Sequence, residues 1–246
     1  MDRMLYVAMT GAEETLRAQG VNNHNLANLS TNGFRADLAA FQSRAVDGTG
    51  YASRVYATNG TVGWDSTSGA LLTTGRDLDV AVNGQGFIAV QGPDGREAYT
   101  RAGNLQIDAT GQLMTATGQP VLGDGGPINI PPYTSLFVAR DGSISVVAQG
   151  QTPDTTSTVG RIKLVNPAEN DVERGEDGLF RMKDGSDAPP DAAVQVSAGV
   201  LESSNVNAAA AMVNMIELAR QFEMQVKAIR NAEENAASAA QLLRLG

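Results

Sequence analysis

The chain has 246 residues, no cysteine, one histidine and a formal net charge of −9. The missing cysteine excludes disulfide frameworks, thiolate metal sites and cysteine nucleophiles, and the acidic balance argues against the clustered Lys and Arg that a nucleic-acid backbone requires. Apolar residues at 42% are enough for a core, while 27 glycines and 5% aromatics point to many turns in one large or two small globular units.

The opening Met1-Asp2-Arg3-Met4-Leu5-Tyr6 places a charge at once and reaches no uninterrupted apolar region, so no cleaved Sec leader is expected. No stretch approaches the roughly 20 apolar residues of a membrane span, and no direct membrane insertion is expected. Residues 3–29 read as a helix, because Leu5, Met9, Ala12, Leu16 and Leu26 recur at helical spacing with no Pro among them. The helix should stop near Ser30-Thr31-Asn32-Gly33, since Asn-Gly tolerates the positive φ of a turn.

Residues 36–70 are rich in Gly, Ser and Thr with weak periodicity, and are expected to form an extended connector. From there the pattern changes to short β-branched runs punctuated by Asn83-Gly84, Asp94-Gly95, Gly103-Asn104, Asp141-Gly142 and Asp177-Gly178. Strands are predicted at 78–82, 86–91, 97–100, 104–108, 112–116, 135–139, 143–147, 160–165 and 179–182. They make a mostly antiparallel β domain over 71–195. A polar stretch from Lys183 to Ala193 leads back to a final helical segment.

In that segment Ala208, Ala211, Met215, Leu218, Phe222, Gln225, Ile229, Ala232, Ala236, Ala239 and Leu243 alternate steps of three and four, the rhythm of a coiled-coil seam with one polar member. Ser203-Ser204-Asn205 is expected to supply the N-cap. The predicted fold class is α+β. Residues 1–35 and 196–246 supply helices that pair as a coiled-coil-like axial domain, and the β domain and connectors lie between them. Charge follows the same division, because the nineteen acidic and eleven basic residues of 36–200 carry nearly all of the net charge.

Candidate chemistry is sparse. Any histidine mechanism must use His24, which has no acid nearer in sequence than Glu13 and Glu14, so a structural role is expected. Asp77-Leu78-Asp79 lacks the ligand spacing of a calcium loop and reads as solvent-facing. Gly84-Gln85-Gly86 has no third glycine, following helix or P-loop lysine, and reads as a hairpin. Glu217, Arg220, Glu223, Lys227 and Arg230 alternate in sign on the outer face of the last helix. They can form weak intrahelical pairs or set registry between packed subunits. No cofactor and no metal is expected, and the chain is not read as an enzyme.

The segment Asn25-Leu26-Ala27-Asn28-Leu29-Ser30-Thr31-Asn32-Gly33-Phe34-Arg35 resembles the signature of flagellar rod and hook proteins. Asp77 to Phe87, Ala98 to Asn104, Ser204 to Asn207 and Ala219 to Glu223 resemble later segments of the same family. The opening twelve residues and the stretch from Val159 to Arg181 are most similar to its proximal-rod members.

The resemblance implies a structural subunit of the flagellar basal body, part of a drive shaft and export channel. Such a protein is exported without a cleaved signal through the flagellar type III apparatus and polymerises in the periplasmic rod. Its partners would be proximal-rod neighbours, the distal rod, further copies of itself and the export apparatus, with no nucleic acid. The expected assembly interface comprises Leu5, Met9, Ala12, Leu16, Asn25, Leu26 and Asn28, with Met215, Leu218, Phe222, Ile229, Ala232, Ala236 and Leu243. Asn32, Gly33 and Phe34 form the turn after the first helix. A distal-rod or hook subunit is the alternative within the family. A β-rich surface binding protein would explain the middle of the chain but not its ends, and a cell-wall hydrolase would need positioned acids that the sequence does not signal.

Overall fold

The two ends of the chain are rich in Ala, Leu, Met, Glu and Arg and contain no Pro, and each forms one helix: α1 (Arg3–Ala27) and α2 (Ala208–Arg244). The computed structural model describes residues 3–39, 41–45, 55–59, 63–152 and 155–244. It divides into two compact units, one of residues 1–29, 36–65 and 206–246, the other of residues 30–35 and 66–205.

In the first unit α1 and α2 pack against each other, with Asn22 Nδ2 donating to the Ala211 carbonyl at 2.9 Å. Within 36–70, read from sequence as an extended connector, described segments pair with one another. Strand β1 (Asp37–Leu38) pairs with β4 (Gly63–Trp64), and β2 (Phe41–Ala45) pairs with β3 (Val55–Asn59), both antiparallel. Strand β3 lies against α1. Weak side-chain periodicity concealed this, because backbone ladders need no alternating apolar pattern. The N-cap of α2 is Asn207, whose Oδ1 accepts from the Ala210 amide at 3.1 Å. It is not the Ser203-Ser204-Asn205 run, and Asn205 Nδ2 instead donates to the Thr67 carbonyl at 3.0 Å.

The second unit is built from short strands, and every described pairing in it is antiparallel. In chain order these are β5 (Leu71–Thr73), β6 (Val80–Asn83), β7 (Phe87–Gln91), β8 (Glu97–Thr100), β9 (Leu105–Ile107), β10 (Leu113–Thr115), β11 (Leu122–Gly123), β12 (Gly126–Pro127), β13 (Tyr133–Val138) and β14 (Ser143–Ala148). They are followed by β15 (Ser157–Arg161), β16 (Leu164–Val165), β17 (Val172–Arg174), β18 (Phe180–Met182), β19 (Gln195–Ala198) and β20 (Val200–Glu202). The largest sheet has the order β16-β7-β8-β18-β17, and β13-β14-β15 forms a three-stranded sheet. Two-stranded ribbons, among them β19-β6 and β20-β5, complete the unit.

A core of Val, Ile and Leu from most of these strands holds the unit together; Val80, Ile88, Leu105, Leu113, Val121 and Ile144 are fully buried. Burial of such side chains contributes roughly 1.5–3 kcal/mol each. Tyr99 is buried among them, and its hydroxyl accepts from the Ala188 amide at 2.7 Å. Burial holds its phenol well above the usual tyrosine range. Gly103 was read from sequence as a turn residue, but its place is set by crowding: a Cβ there would lie 1.6 Å from the Val80 carbonyl oxygen.

Candidate functional site

The surface of the helical unit is built from residues that α1 and α2 leave uncovered. Along α1, Ala8, Ala12, Thr15, Ala18 and Asn22 are buried and recur at three- and four-residue steps. With them runs Gly11, close to the side chain of Gln225. Small residues on this stripe let α2 approach closely. The predicted stripe divides here. Ala12 is buried, Leu5 and Leu26 are half-buried, and Met9 and Leu16 are each 50% exposed on another face. Tyr6 is exposed as well.

On α2 the heptad seam is the better-covered side. Ala211 and Ala232 are buried, and Ala208, Met215, Leu218, Phe222, Gln225 and Ile229 are half-buried. The cover stops after Ala232, since residues 233–238 are all exposed, Ala236 included. Leu243 lies in the last turn of α2, and its side chain falls outside the described residues. Outside the seam, Met212, Val213, Ile216 and Met224 are 54–61% exposed. These join Tyr6, Met9 and Leu16 as large apolar side chains in water. Glu217, Arg220, Glu223, Lys227 and Arg230 form no ion pair with one another among the described residues, so the intrahelical pairing considered from sequence is absent there.

The signature residues have separate tasks. Asn25 clamps the returning chain: its Nδ2 donates to the Asp37 carbonyl and its Oδ1 accepts from the Asp37 amide, both at 2.8 Å. His24 Nδ1 stands 2.7 Å from Asp37 Oδ2. Asp37 is thus the acid that sequence proximity could not supply, because only the chain's return brings it to α1. Asn28 Nδ2 donates to the His24 carbonyl at 3.0 Å and helps close the end of α1. A groove of about 400 Å³ in this unit is lined by Asn22, Asn25, Asp37, Leu38, Leu218 and Gln221, among others.

In the second unit Asn32 is half-buried, and Gly33 and Phe34 are buried. Gly33 has φ +67°, and a Cβ there would meet the Arg101 carbonyl at 2.3 Å, so the backbone requires glycine on both counts. The Phe34 ring carries the Arg174 guanidinium 4.4 Å from its centroid, while Arg174 Nη1 donates to the Arg35 carbonyl at 2.9 Å. Asp79 is buried rather than solvent-facing, with its Oδ2 accepting from the Thr74 hydroxyl at 2.7 Å. No group of three or more His, Asp or Glu among the described residues is arranged to hold a metal ion.

Comparison with known proteins agrees with this layout. Residues 81–146 match the family model described as "Flagellar hook protein FlgE/F/G D1 domain". Residues 197–242 match "Flagellar basal body rod FlgEFG protein C-terminal". The chain is 46% identical over 251 residues to the flagellar basal-body rod protein FlgF of Salmonella typhimurium, covering 100% of both chains. It is 34% identical to FlgF of Caulobacter vibrioides, covering 99% of this chain and 98% of the other. It is also 34% identical to the basal-body rod protein FlgG of Buchnera aphidicola from Acyrthosiphon pisum, covering 94% and 95%. With full-length identity of this order, and with helices and β unit alike inside the matched regions, the chain belongs to the flagellar basal-body rod protein family and is a structural subunit rather than an enzyme.

Proposed function

We propose that the chain is a subunit of the proximal rod that polymerises through α1 and α2, which pair as a coiled-coil-like axial element. The observation that carries this reading is the residual apolar surface of the helical unit. Met9, Leu16, Met212, Ile216 and Met224 are each at least half exposed, although α1 and α2 already cover one another along a stripe of small residues. Helices that keep large apolar side chains in water after pairing have further helices to meet. The uncovered end of α2 adds to this, since Ala236 continues the seam where α1 no longer covers it.

Neighbouring copies and other rod proteins would occupy these faces, with the distal rod above. Similarity to FlgF over the whole of both chains favours the proximal rod over a distal-rod or hook position. Export through the flagellar type III apparatus without a cleaved leader, and assembly in the periplasm, follow as parts of the same proposal. No helix among the described residues is long and apolar enough to cross a membrane.

The test replaces exposed residues, so that folding and assembly separate. Met9→Glu and Ile216→Glu should leave thermal unfolding of the purified chain within about 0.5 kcal/mol of the parent, as expected for surface positions. Both should abolish incorporation into isolated basal bodies and motility. Normal incorporation of both variants would refute the assembly role of these faces.

A further inference from the structure

The polypeptide passes between the two units at 29/30, 35/36, 65/66 and 205/206. Inside the β unit, the three segments next to those passages meet at one side chain. Glu202 is 1% exposed, and it is flanked by two arginines almost as deeply buried, Arg35 at 2% and Arg101 at 3%. Glu202 Oε2 accepts from Arg101 Nε at 2.7 Å and lies 2.7 Å from Arg101 Nη2. Glu202 Oε1 lies 3.0 Å from Arg35 Nη2 and accepts from the Gly69 amide at 3.0 Å. The Glu202 carbonyl accepts from the Gly33 amide at 2.8 Å.

Both arginines are anchored on their far sides. Arg101 donates to the carbonyls of Val82, Gly84 and Gly86 at 2.7–3.0 Å, so Gly84-Gln85-Gly86, read from sequence as a hairpin but here a bend joining β6 and β7 in two different sheets, wraps a guanidinium. Arg35 donates to the Thr67 carbonyl. The ring of contacts closes through Asn205, whose amide donates to the Phe34 carbonyl at 3.2 Å and whose side chain donates to the Thr67 carbonyl.

A carboxylate shielded from water between two guanidiniums is tolerable only while both remain, and each guanidinium is tolerable only while the carboxylate does. The three groups therefore order or loosen together, and they take the segments 31–35, 67–69 and 202–205 with them. We propose that Glu202 is the positioning residue of this subunit. One buried carboxylate fixes how every passage between the units leaves the β unit, and its loss frees all three segments together while the strand core stays folded. The consequence for rod assembly rests on the function proposed above.

The experiment is amide hydrogen exchange on the full-length protein carrying Glu202→Gln, which keeps the shape but turns an amide group toward two guanidiniums. The amides of 31–35, 67–69 and 203–205 should lose protection together by about tenfold or more, while those of β6 and β7 keep theirs. Glu202→Asp retains the charge but is too short to reach both arginines, and should give the same pattern more weakly. If Glu202→Gln does not fold, Glu202→Asp decides alone. Loosening confined to 203–205, or equal loss in β6 and β7, would overturn the proposal. Incorporation of a loosened variant into the rod at the parent's level would overturn the positioning role. Met9→Glu and Ile216→Glu test the assembly faces separately, so the two failures are distinguishable.

Discussion

Both terminal nitrogens of Arg181 grip the Asp177 carboxylate, Nη1 at 2.9 Å and Nη2 at 2.6 Å, and the Leu179 amide adds a third donor at 3.1 Å. The arginine hydrogen bonds are the main reason its carboxyl is held below the usual aspartate range, with the backbone donor contributing. A depressed pKa in the folded protein adds stability that is present above the ordinary value near 3.9 and is lost as pH falls through the folded value. Asp177→Asn should therefore lower the melting temperature at pH 7. The gap to the parent should close as pH drops below about 4. A gap that stays constant down to pH 2 would show that the charge of the Asp177 carboxylate is not what the substitution removes. The same scale explains why the Asn32-Gly33-Phe34-Arg35 run reads so distinctly in sequence. It holds a glycine pressed on the Arg101 backbone, an aromatic ring under a guanidinium and one half of a buried ion pair, each with a steric or electrostatic demand that few residues meet.

At the scale of elements, α1 has 25 residues and α2 has 37, lengths of about 38 and 56 Å at 1.5 Å per residue. The longer helix therefore outruns its cover. Gly20 lies exposed inside α1 with nothing within 4 Å of an added Cβ, so it weakens the helix without serving packing inside the chain. Gly20→Ala should stabilise the helical unit by about 0.5–1 kcal/mol, measured by chemical denaturation monitored through helical circular dichroism. A destabilised variant would mean that the helix is bent or crowded at that point. Gly11 differs: a Cβ there would fall 2.9 Å from Gln225 Nε2. The one polar residue of the α2 seam therefore sits against a glycine of α1, where no side chain stands in its way.

For the whole molecule, the two units differ in what holds them. The β unit has a continuous apolar core and a buried ion cluster, whereas the helical unit relies on a narrow stripe of small residues and leaves residues 233–238 uncovered. Limited proteolysis of the dilute full-length protein should first remove the end of α2 beyond about residue 232, and should leave the β unit, 66–205 with 30–35 still bound to it, as the lasting core. Mass spectrometry of the fragments gives the answer. Early cleavage between residues 80 and 165 would contradict this ranking of the units.

The sequence by itself determined both helices, the strand-rich middle and the family, because each depends on short-range patterns: helical spacing, β-branched runs, Asn-Gly and Asp-Gly turns, and a signature whose backbone demands are local. Every strand predicted from these runs has a counterpart in the structure. Tertiary structure decided which side of α1 is covered. Met9, Ala12 and Leu16 share one helical spacing in the sequence, but the closeness of α2 buries Ala8, Ala12 and Ala18 and leaves Met9 and Leu16 half exposed, and spacing alone does not weigh size against approach distance. It also decided pairings that no short window contains, His24 with Asp37, β2 with β3, and, far apart in the chain, Glu202 with Arg35 and Arg101. No local pattern marks these, because a carboxylate becomes a buried hub only when the folded chain removes it from water beside two cations.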